Sequence, residues 1–211
     1  MLRARTEEAK DERRQIILSA ALDEFFEKGF AAARMDDIAK RAKLSKAAIY
    51  LYFDNKDALF EALIENVTSA KIAGLQAIFS SDLPFEPTIR RLSEFLPQIV
   101  MNSDLPRLLK VMIGESQTFS PLITSYRTQV LERIISAFTG FLRACQDRGE
   151  IEFEDARLTA QLIMAPVALN GVWKILFDSD PDAAIDIPKM FHLHADNIIR
   201  ALRKPGAANA T

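Results

Sequence analysis

From Glu8 to Lys28 the apolar residues Ile17, Ala21, Leu22, Phe25 and Phe26 recur at helical spacing, and the same 3.6-residue period continues almost to the end of the chain. This period is the strongest constraint on the fold. Strands alternate with period two, and no β-branched alternating run interrupts the pattern. With seven glycines and nine prolines in 211 residues, few breaks are available. The expected fold class is all-α.

The breaks divide the chain into segments. Gly29 stands where a C′ glycine would end the first helix. A short second helix is expected from about Met35 to Ala42, then a break at Lys43-Leu44, then a third helix capped by Ser45. Asp54 or Asn55 caps the next, from about Lys56 to Phe79. Further helices are expected at about 86–102, 105–118, 121–148, 155–178 and 187–204. Residues 1–7 read as a loose tail, and residues 206–211 as disordered. The loop "SSDLPFEP" marks a boundary in composition. The division expected from sequence is an N-terminal three-helix helix-turn-helix domain over 1–56 and a larger helical domain over 57–205.

Within "AKLSKAAIYLYF", residues 42–53, apolar and polar groups are mixed at short range. Two short helices joined by a tight turn make a helix-turn-helix candidate. Ala39 is small enough for a close crossing. Ile38, Leu44 and Ile49 would point inward against Phe25 and Phe26. Ile49 and Phe53 are i, i+4 and share the buried face. Ser45, Lys46, Ala47 and Tyr50 are left on the outer face. Small groups there permit close approach, while the lysine and hydroxyls can reach bases and phosphates in a major groove.

Charge is consistent with this. The net charge is −2, which does not announce a nucleic-acid binder, yet residues 1–56 hold 12 Lys/Arg against 10 Asp/Glu. The basic excess therefore lies at the N-terminal end. Arg3, Arg5, Arg13 and Arg14 are candidates for phosphate contact, or for a solvated tail. A single cysteine, Cys145, excludes an internal disulfide and fits a reducing compartment. No apolar leader and no run of 18 apolar residues is present, so a cytoplasmic protein without a membrane partner is expected. His192 and His194 are two apart and would point to different faces, unlike the i, i+4 pair of a zinc site. No phosphate loop, catalytic triad or carboxylate pair emerges. Neither a catalytic residue, a metal site nor a cofactor is expected, and the chain does not read as an enzyme.

The segment "GFAAARMDDIAKRAKLSKAAIYLYFDNKDALFEAL", residues 29–63, resembles the DNA-binding segment of TetR/AcrR-type transcriptional regulators. Residue order and length agree over the whole stretch. The resemblance implies that Ser45, Lys46, Ala47 and Tyr50 meet DNA through a recognition helix, with Tyr52 and Lys56 on backbone phosphates. Two positions depart from the pattern. Lys43 stands where the turn usually has glycine, and Ala33-Arg34 stand where a Thr or Ser cap is usual. Asp36 and Asp37 can offset the missing cap through the helix dipole, and Arg34 can itself reach a phosphate.

The resemblance also implies a homodimer on a (pseudo)palindromic double-stranded DNA operator, and a small effector, commonly apolar or aromatic, whose binding weakens DNA binding. Candidate pocket residues are Phe95, Met112, Glu115, Tyr126, Asn170 and Trp173. Phe119 and Gln117 lie in the same region. Candidate dimer residues on the last two helices are Leu162, Ala165, Leu169, Trp173, Leu193 and Ile198, because "LTAQLIMAPVALNGVWKILF" is apolar over more than one stripe. The function expected is a ligand-responsive repressor. The alternative is a helical interaction module that has lost sequence-specific DNA binding, which Lys43 and Arg34 would allow.

Overall fold

The computed structural model describes residues 2–115 and 121–204, with side chains from residue 7 onward. Ten α-helices account for most of these residues, and among them no strand occurs. Two compact units form. The first comprises Met1–Thr68 with Arg107–Tyr126, and the second Ser69–Pro106 with Arg127–Thr211. The division expected near residue 56 therefore falls later, inside a helix, and the first unit also takes in a second segment of chain. Gln117, Phe119 and the tail 206–211 lie outside the described residues.

In the first unit, α1 (Leu2–Lys28) is followed by α2 (Met35–Arg41), α3 (Lys46–Tyr50) and the start of α4 (Lys56–Phe79). Helix α1 begins at Leu2, so the tail expected to be loose over residues 1–7 is helical over residues 2–7. The polar pattern there reflects a helix exposed through residues 7–13, not an absence of structure. Gly29, at φ 78°, ends α1 as expected. The core forms around Ile17, Phe25, Ile38, Ile49 and Phe60, all at most 1% exposed. Burying each such side chain contributes about 1.5–3 kcal/mol. Phe25, Phe30 and Phe60 meet pairwise with ring centroids 5.2–5.5 Å apart. Phe26 does not join them. Its ring faces Arg107 and Lys110 of α6 (Leu105–Glu115), with the Lys110 ammonium 3.7 Å from the centroid. Helix α2 is tied to α1 by Arg41, which donates to both Glu24 and Glu27. Glu24 is 2% exposed, so this pairing spares a buried carboxylate from standing alone.

The second unit contains α5 (Phe85–Met101), α8 (Glu132–Asp147), α9 (Ala156–Phe177) and α10 (Ile187–Leu202). Helix α5 packs mainly on α10, and α8 on α9. Phe79, Phe85, Phe138 and Phe141 form an aromatic cluster at the end of α4. Glu86, Arg90, Asp196 and Arg203 bridge α5 and α10 on the outside. The single helix expected over 121–148 is divided. Helix α7 (Pro121–Tyr126) passes into a π-helical turn at Arg127–Leu131 before α8 begins. A π turn inserts one residue into the helical ladder, and nothing in "RTQVL" signals it. Cys145 is buried, and burial pushes its thiol up to about 11, which makes it inert near neutral pH. His192 pairs with Ser93 and His194 with the Ile163 carbonyl, so the two rings serve separate partners.

Candidate nucleic-acid interface and ligand cleft

The turn between α2 and α3 is closed by two backbone bonds. Leu44 N–H donates to the Ala39 carbonyl at 2.9 Å and Lys43 N–H to the Lys40 carbonyl at 3.0 Å. This is the Schellman pattern, with Lys43 at C′ and φ 56°. Lysine thus occupies a left-handed position that glycine would take without strain. Ser45 then caps α3, its hydroxyl accepting from Ala48 N–H at 3.2 Å. Arg34, at the N-cap of α2, makes no side-chain cap bond, and Asp36 and Asp37 fill the first turn.

The two faces of α3 separate as the spacing predicts. Ile49 and Phe53 are buried, while Ser45, Lys46, Ala47 and Tyr50 are exposed and Tyr52 is half-buried. The Lys46 ammonium holds the Asp36 carboxylate at 2.9 Å. That hydrogen bond is the main reason its pKa is raised, and Tyr50 and Arg34 lie close enough to act on it electrostatically. Arg34, Lys46 and Tyr50 are all exposed. Two further groups sit at the far end of α3. Arg14 of α1 lies over the Phe53 ring. Leu51 is 83% exposed, a leucine standing clear of the protein between two tyrosines. Sequence reasoning passed over Leu51 because an apolar residue beside Phe53 reads as core.

Lys56 belongs elsewhere. Its ammonium donates to the carbonyls of Phe30, Ala31 and Ala33 and lies 4.5 Å from the Phe30 ring centroid. Its three donors are taken up in clamping the loop between α1 and α2, so the expected phosphate contact is not what this geometry offers. Glu115 likewise accepts from Ala31 N–H at 3.1 Å and steadies the same loop.

The expected pocket residues are divided between the two units. Met112, Glu115 and Tyr126 belong to the first unit, and burial pushes the Tyr126 phenol up to about 12. Phe95 packs its ring edge onto Gly74 of α4, where an added Cβ would lie 2.6 Å from it. Asn170 and Trp173 do come together. They line a cleft of about 410 Å³ with Met101, Lys174, Phe177 and Ile187, between the end of α5 and the loop from α9 to α10. The Trp173 indole donates to the Ala183 carbonyl at 2.8 Å.

On α9, Leu158, Leu162, Leu169 and Leu176 are 56–64% exposed, with Val172 and Ala165 also exposed. Positions 158, 162, 165, 169, 172 and 176 alternate steps of four and three, the spacing of a coiled-coil seam. Trp173, expected in this stripe, is half-buried in the cleft wall, and Val172 takes the seam position. Leu193 of α10 is 58% exposed, whereas Ile198 is half-buried against the core. Helix α9 is long and apolar enough to cross a bilayer by composition alone. Its opposite face, with Ala160, Ile163 and Val167, is buried against neighbouring helices, so it has a packed side and a bare side.

The model of bacterial regulatory proteins of the tetR family matches residues 17–63, and that of the AefR-like transcriptional repressor C-terminal domain matches residues 87–186. The HTH-type transcriptional regulator YdeS of Bacillus subtilis is 32% identical over 153 residues, spanning 72% of this chain and 74% of that protein. The probable HTH-type transcriptional regulator ArpR of Pseudomonas putida is 28% identical, over 97% of this chain and all of its own length, 100%. Among solved structures, SmeT, the repressor of a Stenotrophomonas maltophilia multidrug efflux pump, has the same fold. In its triclosan complex it matches with a TM-score of 0.72 and 22% identity, over 92% of this chain and 93% of that one. The helix-turn-helix geometry and these likenesses agree: the chain belongs to the TetR family of bacterial transcriptional regulators.

Proposed function

We propose that the protein is a homodimeric, cytoplasmic repressor whose two α3 helices dock in successive major grooves of a (pseudo)palindromic operator. The observation that carries this is the division of α3. Ile49 and Phe53 anchor it, and Ser45, Lys46, Ala47 and Tyr50 face outward beside Arg34. Lys46 and Arg34 serve the phosphates or guanine edges, and Tyr50 and Tyr52 serve phosphates. The bare tip of Leu51 suits a thymine methyl group. Two copies joined through the α9 seam present two recognition helices, as half-sites one helical turn apart require. Such a seam, bare in one chain, is covered by its equivalent in a second.

An apolar or aromatic effector releases the operator. SmeT, solved with triclosan, supports an aromatic ligand. An effector acts only by binding the DNA-incompetent state better than the competent one.

Selection from a random duplex library, followed by anisotropy titration, tests the reading. Lys46→Ala and Tyr50→Phe are expected to weaken binding to the selected duplex while leaving the thermal midpoint unchanged. A base contact contributes about 1–3 kcal/mol of discrimination at one position, and loss of a phosphate contact lowers the salt slope by about one unit. No sequence-selective binding by the wild type would leave the helix-turn-helix as a scaffold and put the interaction-module reading first.

A further inference from the structure

Asn170 is 1% exposed, deep on the inner side of α9. Its Nδ2 donates to the Pro166 carbonyl at 2.7 Å. Its Oδ1, by contrast, is buried and meets no donor among the described residues. Turning the amide over would set two oxygens against each other, so the bond to Pro166 fixes which atom is left over. A buried acceptor without a donor is costly, and such atoms in folded proteins call for an explanation.

Asn170 is part of the wall of the cleft of about 410 Å³ at the end of α9. That size lies within the roughly 300–1,000 Å³ typical of small-molecule sites. Trp173 and Phe177, one and two turns on from Asn170, supply an aromatic surface with ring centroids 4.7 Å apart. Two of the other polar groups there are already engaged. The indole N–H holds the Ala183 carbonyl, and the Lys174 ammonium holds the Met101 carbonyl at 3.3 Å. Asp178 and Asp180 stand at the rim and disfavour an anion.

We infer that this cleft takes an uncharged aromatic molecule bearing one hydroxyl or N–H donor, which the Asn170 carboxamide oxygen accepts while Trp173 and Phe177 cover the ring. The inference deepens the effector reading and rests on it for any consequence at the operator. Ligand binding itself is independent of DNA. Sites built around a buried polar group reject an analogue that leaves the group unpaired far more strongly than an apolar pocket rejects an extra methyl. Selectivity for the donor is thus the signature of Asn170, and affinity for aromatic bulk alone is not.

The experiment is titration calorimetry of the full chain with a matched pair, 4-phenylphenol and its methyl ether 4-methoxybiphenyl. Wild type should prefer the phenol by tenfold or more. Asn170→Leu, similar in size and without the acceptor, should bind the two alike, with its thermal midpoint no lower than that of wild type. Trp173, the one tryptophan of the chain, reports by its fluorescence that the ligand sits in this cleft. Equal affinity of wild type for phenol and ether, or binding of neither, overturns the inference. So does a preference for the phenol that survives in Asn170→Leu. The wild-type comparison holds even if the variant fails to fold. Donor-selective binding in a chain that shows no DNA binding would sink the regulator reading and leave the cleft standing.

Discussion

The Lys46 ammonium lies 2.9 Å from the Asp36 carboxylate, joining the first turn of α3 to the first turn of α2. Both side chains are well exposed, at 64% and 47%. An exposed pair of this kind contributes little to stability. Its interest lies in what it does to the outer face of α3, where the cation proposed to meet DNA is held by an anion of the same protein. Asp36→Asn frees the lysine and removes a negative charge from the surface proposed to approach phosphates. Duplex binding is expected to tighten by about two- to fivefold at low salt, nearly equally for selected and scrambled sequences. Anisotropy titrations on both duplexes measure this. Weaker binding in the variant would show that Asp36 positions Lys46 for DNA instead of competing for it.

Lys56, unlike Lys46, is engaged by backbone carbonyls of its own chain. It binds three carbonyls of the loop from Phe30 to Ala33. Lys56→Met keeps the stem and removes the donors. Hydrogen bonds to a charged group contribute about 1.5–3 kcal/mol, so the thermal midpoint is expected to drop by several degrees. Lys46→Ala should leave it in place. An unchanged midpoint for Lys56→Met, together with weaker duplex binding, would return Lys56 to the phosphate role.

Much of this was legible in the sequence, and the limits have physical causes. The helical period located each long helix, because burial of one stripe is what makes such a helix stable. The two faces of α3 followed from i, i+4 spacing alone. The clamp made by Lys56 is not legible because its partners are backbone carbonyls 23–26 residues away, which carry no side-chain signal. The π turn at Arg127–Leu131 has no composition cue either. Trp173 was read into the dimer stripe since an apolar residue one position off a seam looks the same in sequence. Its indole bond to Ala183 depends on how the loop after α9 returns.

Lys43 stands where the family resemblance usually has glycine, and its φ of 56° puts it in the left-handed region. A residue with a Cβ costs roughly 1–2 kcal/mol in that region. Lys43→Gly removes this strain, while the freer unfolded chain costs about 0.4–1 kcal/mol. A net gain on the order of 0.5 kcal/mol or more is expected by urea unfolding. A clear loss of stability would mean that the lysine side chain makes a compensating contact across the turn.

The proposed dimer rests on the α9 seam. Leu162 and Leu169 are 64% and 56% exposed, one heptad apart on the bare side of the helix. Neither supports the core of its own chain, so replacing both with glutamate should do little to the folded monomer. In a dimer the same change sets two pairs of carboxylates into an apolar interface, where unpaired charge is strongly disfavoured. The double variant Leu162→Glu/Leu169→Glu is expected to run as a monomer in light scattering at micromolar concentration. It should also lose most of its operator affinity, although α3 is untouched, because two linked recognition helices bind with an avidity that one cannot match. Retention of the dimer would move the interface off α9, and Leu193 of α10 would be the next position to substitute. A monomeric variant that still bound the full operator as tightly as wild type would separate assembly from recognition and remove the reason for a two-fold symmetric site.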